Sequence, residues 1–385
     1  MTVISSSSFE RNVWSVFGVP IDAVTLDEAE ARVRRAVETR ERLSFVTPNL
    51  NWVMRALREP QAMRQMQEAD LSLADGTPVV WLARQLGAPI PERVAGSDLF
   101  DRLRRKVPGQ KPIRVFFFGG RAGAADDANA KLNREDGGLI GCGALNPGYG
   151  PVDEMAAPVI FQTINRARPD FVVVSLGAAK GQAWISRYRH RIEAPVIAHL
   201  GAVVDFVADT IERAPPWMQR SGLEWAWRIS VEPALWRRYL ADGVRLFGLI
   251  PNRLWVTQRD FRHLRSKGPL KAEAAKGTAG FDISLEGDAT SEHLSVLRPV
   301  LARALADPGP VHIDCAGLGT FDTSFAGLLN LLEVRLTDQG RAVSIDGLLA
   351  PHHDILTRMN LAPPRDLKGA IGEPHDSLTQ GVPAQ

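Results

Sequence analysis

Between about residues 13 and 212, short β-rich runs alternate with stretches of helical apolar spacing. This alternation constrains the chain most, because parallel strands need long crossover connections and helices usually supply them. The expected product is a three-layer α/β domain, a parallel sheet covered by helices on both faces. The strands expected are Leu43 to Val46, Leu71 to Ala74, Ile113 to Phe118, Leu139 to Cys142, Phe171 to Leu176 and Val196 to His199. Thr25 to Glu28 has the form of a capping box. Leu26, Ala29, Val33, Ala36 and Val37 then share one apolar face, so the first helix starts there. Ligands of such sheets bind outside the carboxyl ends of the strands, and the loops there are where chemistry is sought.

The character changes between Arg213 and Lys267. Five of the nine tryptophans (217, 225, 227, 236 and 255) fall in this stretch, with 11 Arg and Lys against 4 Asp and Glu. Such a mixture suits a membrane interface, where indoles sit at headgroup depth and cations meet anionic lipid. On composition alone, a helical subdomain whose Trp residues pack on the sheet domain accounts for it slightly better. Lys, Ala and Gly then dominate Ser266 to Gly280, which reads as a flexible linker over 263–279. A second small α/β domain is expected over 280–364, with strands at Phe281 to Leu285, Val311 to Asp314 and Ala342 to Ile345. Its helices are expected at Ser291 to Leu305 and Ser324 to Gln339, and residues 365–385 read as a frayed tail.

Composition narrows the function. The 46 basic and 44 acidic residues leave a net charge of +2, which gives no bulk attraction for nucleic acid. Of the 46 only 8 are Lys, and the guanidinium fork of the remaining Arg suits phosphate, although a GC-rich genome accounts for most of that excess. Cys142 and Cys315 form neither a disulfide framework nor a zinc motif, which fits a reducing, cytoplasmic compartment. Met1 to Asn12 has no signal-peptide form, and Phe171 to Ala179 is too short to span a bilayer. Membrane contact is therefore expected to be peripheral.

Two strand ends carry candidate chemistry: Thr47-Pro48-Asn49, and Asp75-Gly76-Thr77-Pro78. An Asp there, before a helix, can take a proton from a substrate hydroxyl, although Asp-Gly after a strand is more often a turn. Gly119-Gly120-Arg121-Ala122-Gly123 lies between a strand and a helix, where free N–H groups and the helix dipole could hold phosphate. Its spacing is not that of the Gly-x-Gly-x-x-Gly dinucleotide fingerprint, which counts against a dehydrogenase. No Asp-x-Asp and no His cluster offers metal ligands in this domain, so neither metal nor other cofactor is expected.

From Phe17 to about Leu249 the chain resembles the WecG/TagA/CpsF glycosyltransferases, family 26. The resemblance rests on Thr47-Pro48-Asn49, Ala69-Asp70-Leu71 through Asp75-Gly76, and Glu92-Arg93-Val94-Ala95-Gly96-Ser97-Asp98-Leu99. It continues in Arg213-Ala214-Pro215, Gly222-Leu223-Glu224-Trp225 to Arg228, and Glu232-Pro233. It implies a Rossmann-like domain over 13–262, whose basic aromatic appendage (213–262) folds over the site. It also implies an inverting, metal-independent transfer of an N-acetylmannosamine-, glucose- or related hexose-type sugar from a UDP-sugar to a polyprenyl-diphosphate-linked acceptor. The setting would be exopolysaccharide or cell-surface glycan synthesis on the inner face of the bacterial plasma membrane. Asp75 matches the general base. Thr47, Asn49, Arg93, Gly96, Asp98, Gly119, Gly120, Lys180, Gln182, Arg213 and Arg228 are the implied substrate-binding set, and Trp217, Arg220, Trp225, Arg237 and Arg238 the implied membrane contacts.

Two departures stand out. Where the family usually has Gly-x-Pro-Lys-Gln-Glu, this chain has Gly177-Ala178-Ala179-Lys180-Gly181-Gln182, and Asp209 stands where a Gly is usual before Arg-Ala-Pro. The first leaves a second reading open, a non-catalytic nucleotide-sugar-binding regulator. Phe281 to Pro364 resembles a STAS domain through Phe321-Asp322-Thr323-Ser324 and Gly327-Leu328-Leu329, with Phe325 where Gly is usual. That resemblance implies a protein partner and phosphorylation of Thr323 or Ser324. Local chemistry favours Asp322, Thr323 and Ser324 as a helix cap.

Overall fold

The computed structural model describes residues 9–211, 213–215, 217–218, 222–277 and 280–361. It opens with an antiparallel hairpin, β1 (Val13–Val16) and β2 (Val19–Asp22), which the strand pattern did not reveal. α1 (Leu26–Thr39) follows, and Thr25 caps it as the reciprocal box expected from Glu28. Next come β3 (Leu43–Val46), α2 (Leu50–Ala56), α3 (Pro60–Gln67), β4 (Leu71–Ser72), α4 (Thr77–Gln85) and α5 (Gly96–Arg104). The domain continues with β5 (Ile113–Gly119), α6 (Ala124–Leu132), β6 (Leu139–Leu145), α7 (Pro158–Arg166), β7 (Phe171–Ser175), α8 (Ala178–Tyr188), β8 (Val196–His199) and α9 (Gly201–Val207).

β3 to β8 form one parallel six-stranded sheet in the order β4-β3-β8-β7-β5-β6. This is the expected three-layer domain. Phe45, Phe117 and Phe171 fill the core on one face, and Phe116, Phe118 and Trp184 fill it on the other. Because β3 leads outward to β4 while β5 starts the opposite half, the loops after β3, β4, β7 and β8 converge at the carboxyl edge, where such sheets hold ligands. The appendage crosses that edge as α10 (Glu224–Val231), α11 (Trp236–Leu249), a π-helical turn at Ile250–Leu254 and α12 (Trp255–His263).

The second domain has a four-stranded sheet in the order β12-β11-β10-β9. Its strands are β9 (Lys271–Lys276), β10 (Phe281–Ala289), β11 (Val311–Phe321) and β12 (Val343–Asp346). Its helices are α13 (Leu297–Ala306), α14 (Thr323–Asp338) and α15 (Ala350–Arg358). β9 corrects the linker expectation. Lys271 to Lys276 pairs antiparallel with β10, from Phe281↔Lys276 to Glu286↔Lys271. Alanine hid the alternation, because Ala272 and Ala274 face inward with too little apolar bulk to read as a strand. α15 was also unforeseen. The expected tail at 365–385, with 362–364, lies outside the described residues.

The two domains share one apolar core. Trp14, Val16 and Phe17 of the hairpin, Met63 and Met66 of α3, and Leu82 and Leu86 at α4 cluster with Phe325, Leu328 and Leu332 of α14. Burying each such large side chain contributes roughly 1.5–3 kcal/mol. Asn330 Nδ2 donates to Ser15 Oγ at 3.3 Å, Arg335 pairs with Asp70 at 3.0 Å, and Arg64 pairs with Asp338. A Cβ at Gly327 would lie 2.9 Å from the Val13 carbonyl oxygen. Gly327→Val should therefore part the hairpin from α14 and cost about 1–3 kcal/mol. Urea unfolding followed by tryptophan fluorescence checks this, and a single transition is expected for both domains.

Candidate active site

The converging loops and the appendage enclose a cavity of about 940 Å³. Thr47, Asn49, Asp75, Gly76, Arg93 and Gly96 line its sheet side; Glu224, Trp225, Arg228, Trp236, Arg238, Leu240 and Phe247 line its appendage side. The Asp75 N–H donates to the Pro48 carbonyl at 3.1 Å, which ties the two strand-end loops together. Gly76 then turns the chain at φ +102° into α4. Asn49 caps α2 by accepting from the Trp52 N–H at 3.2 Å, so its NH2 is the end left for a ligand. Gly96 starts α5 with no room for a side chain, since a Cβ there would meet Leu200 Cδ2 at 2.5 Å and Thr47 Cγ2 at 3.2 Å.

Asp75 keeps 28% of its side chain exposed, and Arg93 Nη1 lies 3.9 Å from its Oδ1. Burial lifts its pKa from an ordinary 3.8 to about 7. Arg93 opposes that rise and the nearby Glu224 and Asp98 reinforce it. Arg93 reaches Asp98 at 2.6 Å and Glu224 at 3.2 Å, and Arg213 pairs with the other oxygen of Asp98 at 2.6 Å and with Asp101. The carboxylate thus stands ionised or protonated with nearly equal ease at neutral pH, as a proton acceptor for that pH should.

Several expected ligand residues stand elsewhere. Gly119 and Gly120 permit close packing. The Gly120 N–H is spent on the Ser175 carbonyl at 2.6 Å, and Cβ atoms would strike Ser175 O and Val204 Cγ1. Lys180 Nζ donates to the Gly150 carbonyl at 2.9 Å, and the buried Gln182 amide to Gln65 O at 3.4 Å. Neither belongs to the cavity lining. Asp98 and Arg213 sit behind the wall and brace Arg93. Arg228 lines the cavity, 3.5 Å from Glu232, which also holds Arg121 at 2.7 Å. Among the expected membrane contacts, Trp217 is 62% exposed, Trp225 half-exposed, and Arg237 and Arg238 stack near Trp236 and Tyr239; Arg220 lies outside the described residues. Thr323 and Ser324 are buried. Thr323 Oγ1 donates to the Leu86 carbonyl at 3.2 Å, Asp322 accepts from the Ser324 N–H at 2.9 Å, and the Ser324 hydroxyl bonds to Asp322, so the cap holds and modification would need these contacts to open.

The two departures find physical reasons. Asp209 adopts φ +55° and pairs with Lys131, so a left-handed position is filled by a short polar side chain. Gly181 faces His199 at the end of β8, and a Cβ there would fall well inside contact distance of the ring at Cδ2. Burial pushes the His199 pKa down to about 4, leaving a neutral imidazole whose Nε2 has no partner among the described residues. Sequence reasoning passed over His199, Asn51, Trp52, Glu224, Asp242 and Phe247 as site residues. Of these only Glu224 carried a signal, as part of the Gly222 to Arg228 segment.

A parallel α/β sheet with a near-neutral carboxyl at a strand end, facing an arginine-lined cavity, defines a Rossmann-like domain equipped for acid–base chemistry on an anionic ligand. Residues 14–260 match the model described as the Glycosyl transferase WecG/TagA/CpsF family, and residues 274–365 match one described as Mlab, STAS domain. The chain belongs to the WecG/TagA/CpsF family and is a glycosyltransferase that carries a STAS-type domain. It is 32% identical over 197 residues, 51% of this chain and 74% of the relative, to the N-acetylglucosaminyldiphosphoundecaprenol N-acetyl-beta-D-mannosaminyltransferase of Bacillus spizizenii. Proteins of the same name in Bacillus subtilis and Staphylococcus aureus are 29% and 24% identical over 52% and 58% of this chain, covering 75% and 85% of those proteins.

The tight fit at Gly181 makes a clear prediction. Gly181→Gln alone should cost about 1–3 kcal/mol by forcing the imidazole aside. The double variant with His199→Ala should be more stable than the sum of the single losses by roughly 1 kcal/mol or more, measured by a double-mutant cycle of urea midpoints.

Proposed function

We propose that the chain moves an N-acetylmannosamine-, glucose- or related hexose-type sugar from a UDP-sugar to a polyprenyl-diphosphate-linked acceptor, with inversion and without a metal. The observation that carries this reading is Asp75, a carboxyl with a pKa of about 7 on the wall of a large cavity beside Arg93. The acceptor hydroxyl oxygen bonds to the anomeric carbon and passes its proton to Asp75. The bond from that carbon to the donor's phosphate oxygen breaks on the opposite face, and its electron pair leaves with UDP. Arg228, which lines the cavity on the appendage side, would take the leaving charge. The names of the relatives support the lipid-linked acceptor.

In this reading kcat/KM should rise with pH below about 7 and level off above it, because the base must be ionised. Asp75→Asn should lower the rate by about 10²- to 10⁴-fold in a radiolabelled UDP-sugar assay. Wild-type turnover in that variant, or UDP binding without product across a donor panel, would overturn the assignment. The stability effect has the opposite sign. A carboxyl whose folded pKa is raised binds its proton more tightly in the native state, so its contribution is present at low pH and lost as pH rises through about 7. Asp75→Asn, which carries no charge to bury, should therefore melt above wild type at pH 8.

We further propose that the enzyme works at the inner face of the plasma membrane. Among the described residues no helix is long and apolar enough to cross a membrane. Trp236, Leu240, Val244 and Phe247 instead form an exposed stripe along α11, with Phe247 77% exposed, and the stripe runs into the cavity wall. An apolar helix face beside Arg237 and Arg238 suits an anionic bilayer surface and opens the cavity toward a lipid-borne acceptor. Leu240→Asp with Phe247→Asp should reduce sedimentation with phosphatidylglycerol vesicles by about tenfold or more. Equal sedimentation of the folded variant would refute the membrane assignment.

A further inference from the structure

Every described residue lining the cavity lies between Thr47 and Phe247, so among the described residues the C-terminal domain gives the site no side chain. It nevertheless holds α4, which helps to build the cavity, and α12, which continues the appendage beyond α11. α4 leaves Asp75 at Gly76 and runs nine residues, about 13 Å, to Gln85. The last carbonyls of a helix have no partner inside it. Here they are taken from outside, with Gln258 Nε2 of α12 donating to Gln85 O at 2.7 Å and Thr323 Oγ1 of α14 donating to Leu86 O at 3.2 Å.

The appendage is fastened at both ends. At the cavity end Asp242, buried on α11, accepts from Asn51 Nδ2 at 2.8 Å and pairs with Arg245 at 3.0 Å. At the far end Arg358 of α15 donates to the buried Thr257 hydroxyl at 3.0 Å and pairs with Asp260, both on α12. Phe261 meets Phe321 edge-on with ring centroids 5.5 Å apart, and Phe321 meets Phe325 in the same way at 5.6 Å. The turn and helix face of this STAS-type domain are thus occupied by the chain's own transferase domain.

We propose that the STAS-type domain acts in cis as the anchor of the lid: its α14–α15 face takes α4 and α12 as its partner, and so fixes how α11 covers the cavity. Affinity for the nucleotide then depends on contacts remote from it. The affinity readout rests on the transferase reading above, whereas the lid readout does not.

The test uses the full chain with Arg358→Ala and, separately, Thr323→Val, neither of which alters a cavity residue. Hydrogen exchange of the amides over 236–263 and calorimetric titration with UDP are measured beside His312→Ala, a half-exposed control. Arg358→Ala should speed exchange over 236–263 by about tenfold or more and weaken UDP by roughly three- to tenfold, with Arg358→Lys recovering part of both. Thr323→Val should act in the same direction, more weakly, and His312→Ala should change neither. Folded interface variants whose 236–263 exchange matches wild type would overturn the anchor. If wild type itself fails to bind UDP, the transferase reading falls while the exchange result still decides the anchor.

Discussion

A chain of charges around one desolvated carboxyl organises this molecule. Asp75 is drawn upward in pKa by burial, and Arg93 keeps it from being lost altogether as a base. Arg93 is itself shared among Asp75, Asp98 and Glu224, and Arg213 closes the chain through Asp98 and Asp101. These residues come from the β4 loop, the connection between α4 and α5, α5 itself and the appendage. The network therefore fixes the acid and the lid together, and breaking it would leave charges half-buried without partners, which costs far more than an exposed ion pair contributes.

The apolar core explains why the second domain is no loose attachment. A hairpin of two four-residue strands has little stability alone. This one buries Trp14, Val16 and Phe17 against α14, with Gly327 allowing the backbones to meet. The helix face of the STAS-type domain is thus used up inside the chain. The buried Thr323 and Ser324 follow from that packing: the Ser324 hydroxyl donates to the capping Asp322 carboxylate, and the Thr323 hydroxyl links α14 to α4.

Much of the fold was legible because its signals are local. The capping box at Thr25 and the strand runs act over a few residues. Strand β9 escaped because alanine carries too little apolar contrast, and the hairpin because its strands are buried on both sides and show no alternation. In the site, Asp75, Thr47, Asn49, Arg93 and Arg228 carried recognisable motifs, and they share the cavity. The Gly119-Gly120 loop misled because a turn that packs against a neighbouring strand has the same composition as one that cradles a phosphate. His199 and Asp242 carried no signal, since what places each at the site, Gly181 beside His199 and Asn51 bonded to Asp242, is remote from it in sequence.

By itself, then, the sequence determined the alternation of strand and helix, the carboxylate at a strand end and the family motifs around it, because these depend on side-chain periodicity and short-range hydrogen bonds. Tertiary structure alone decided which charges meet. Arg93 and Glu224 are 131 positions apart, and Gly181 tolerates no side chain only because β8 delivers His199 beside it. It also decided that the second domain would grip the first, since burial of apolar surface is non-directional and its partner is set by the shape of the whole fold.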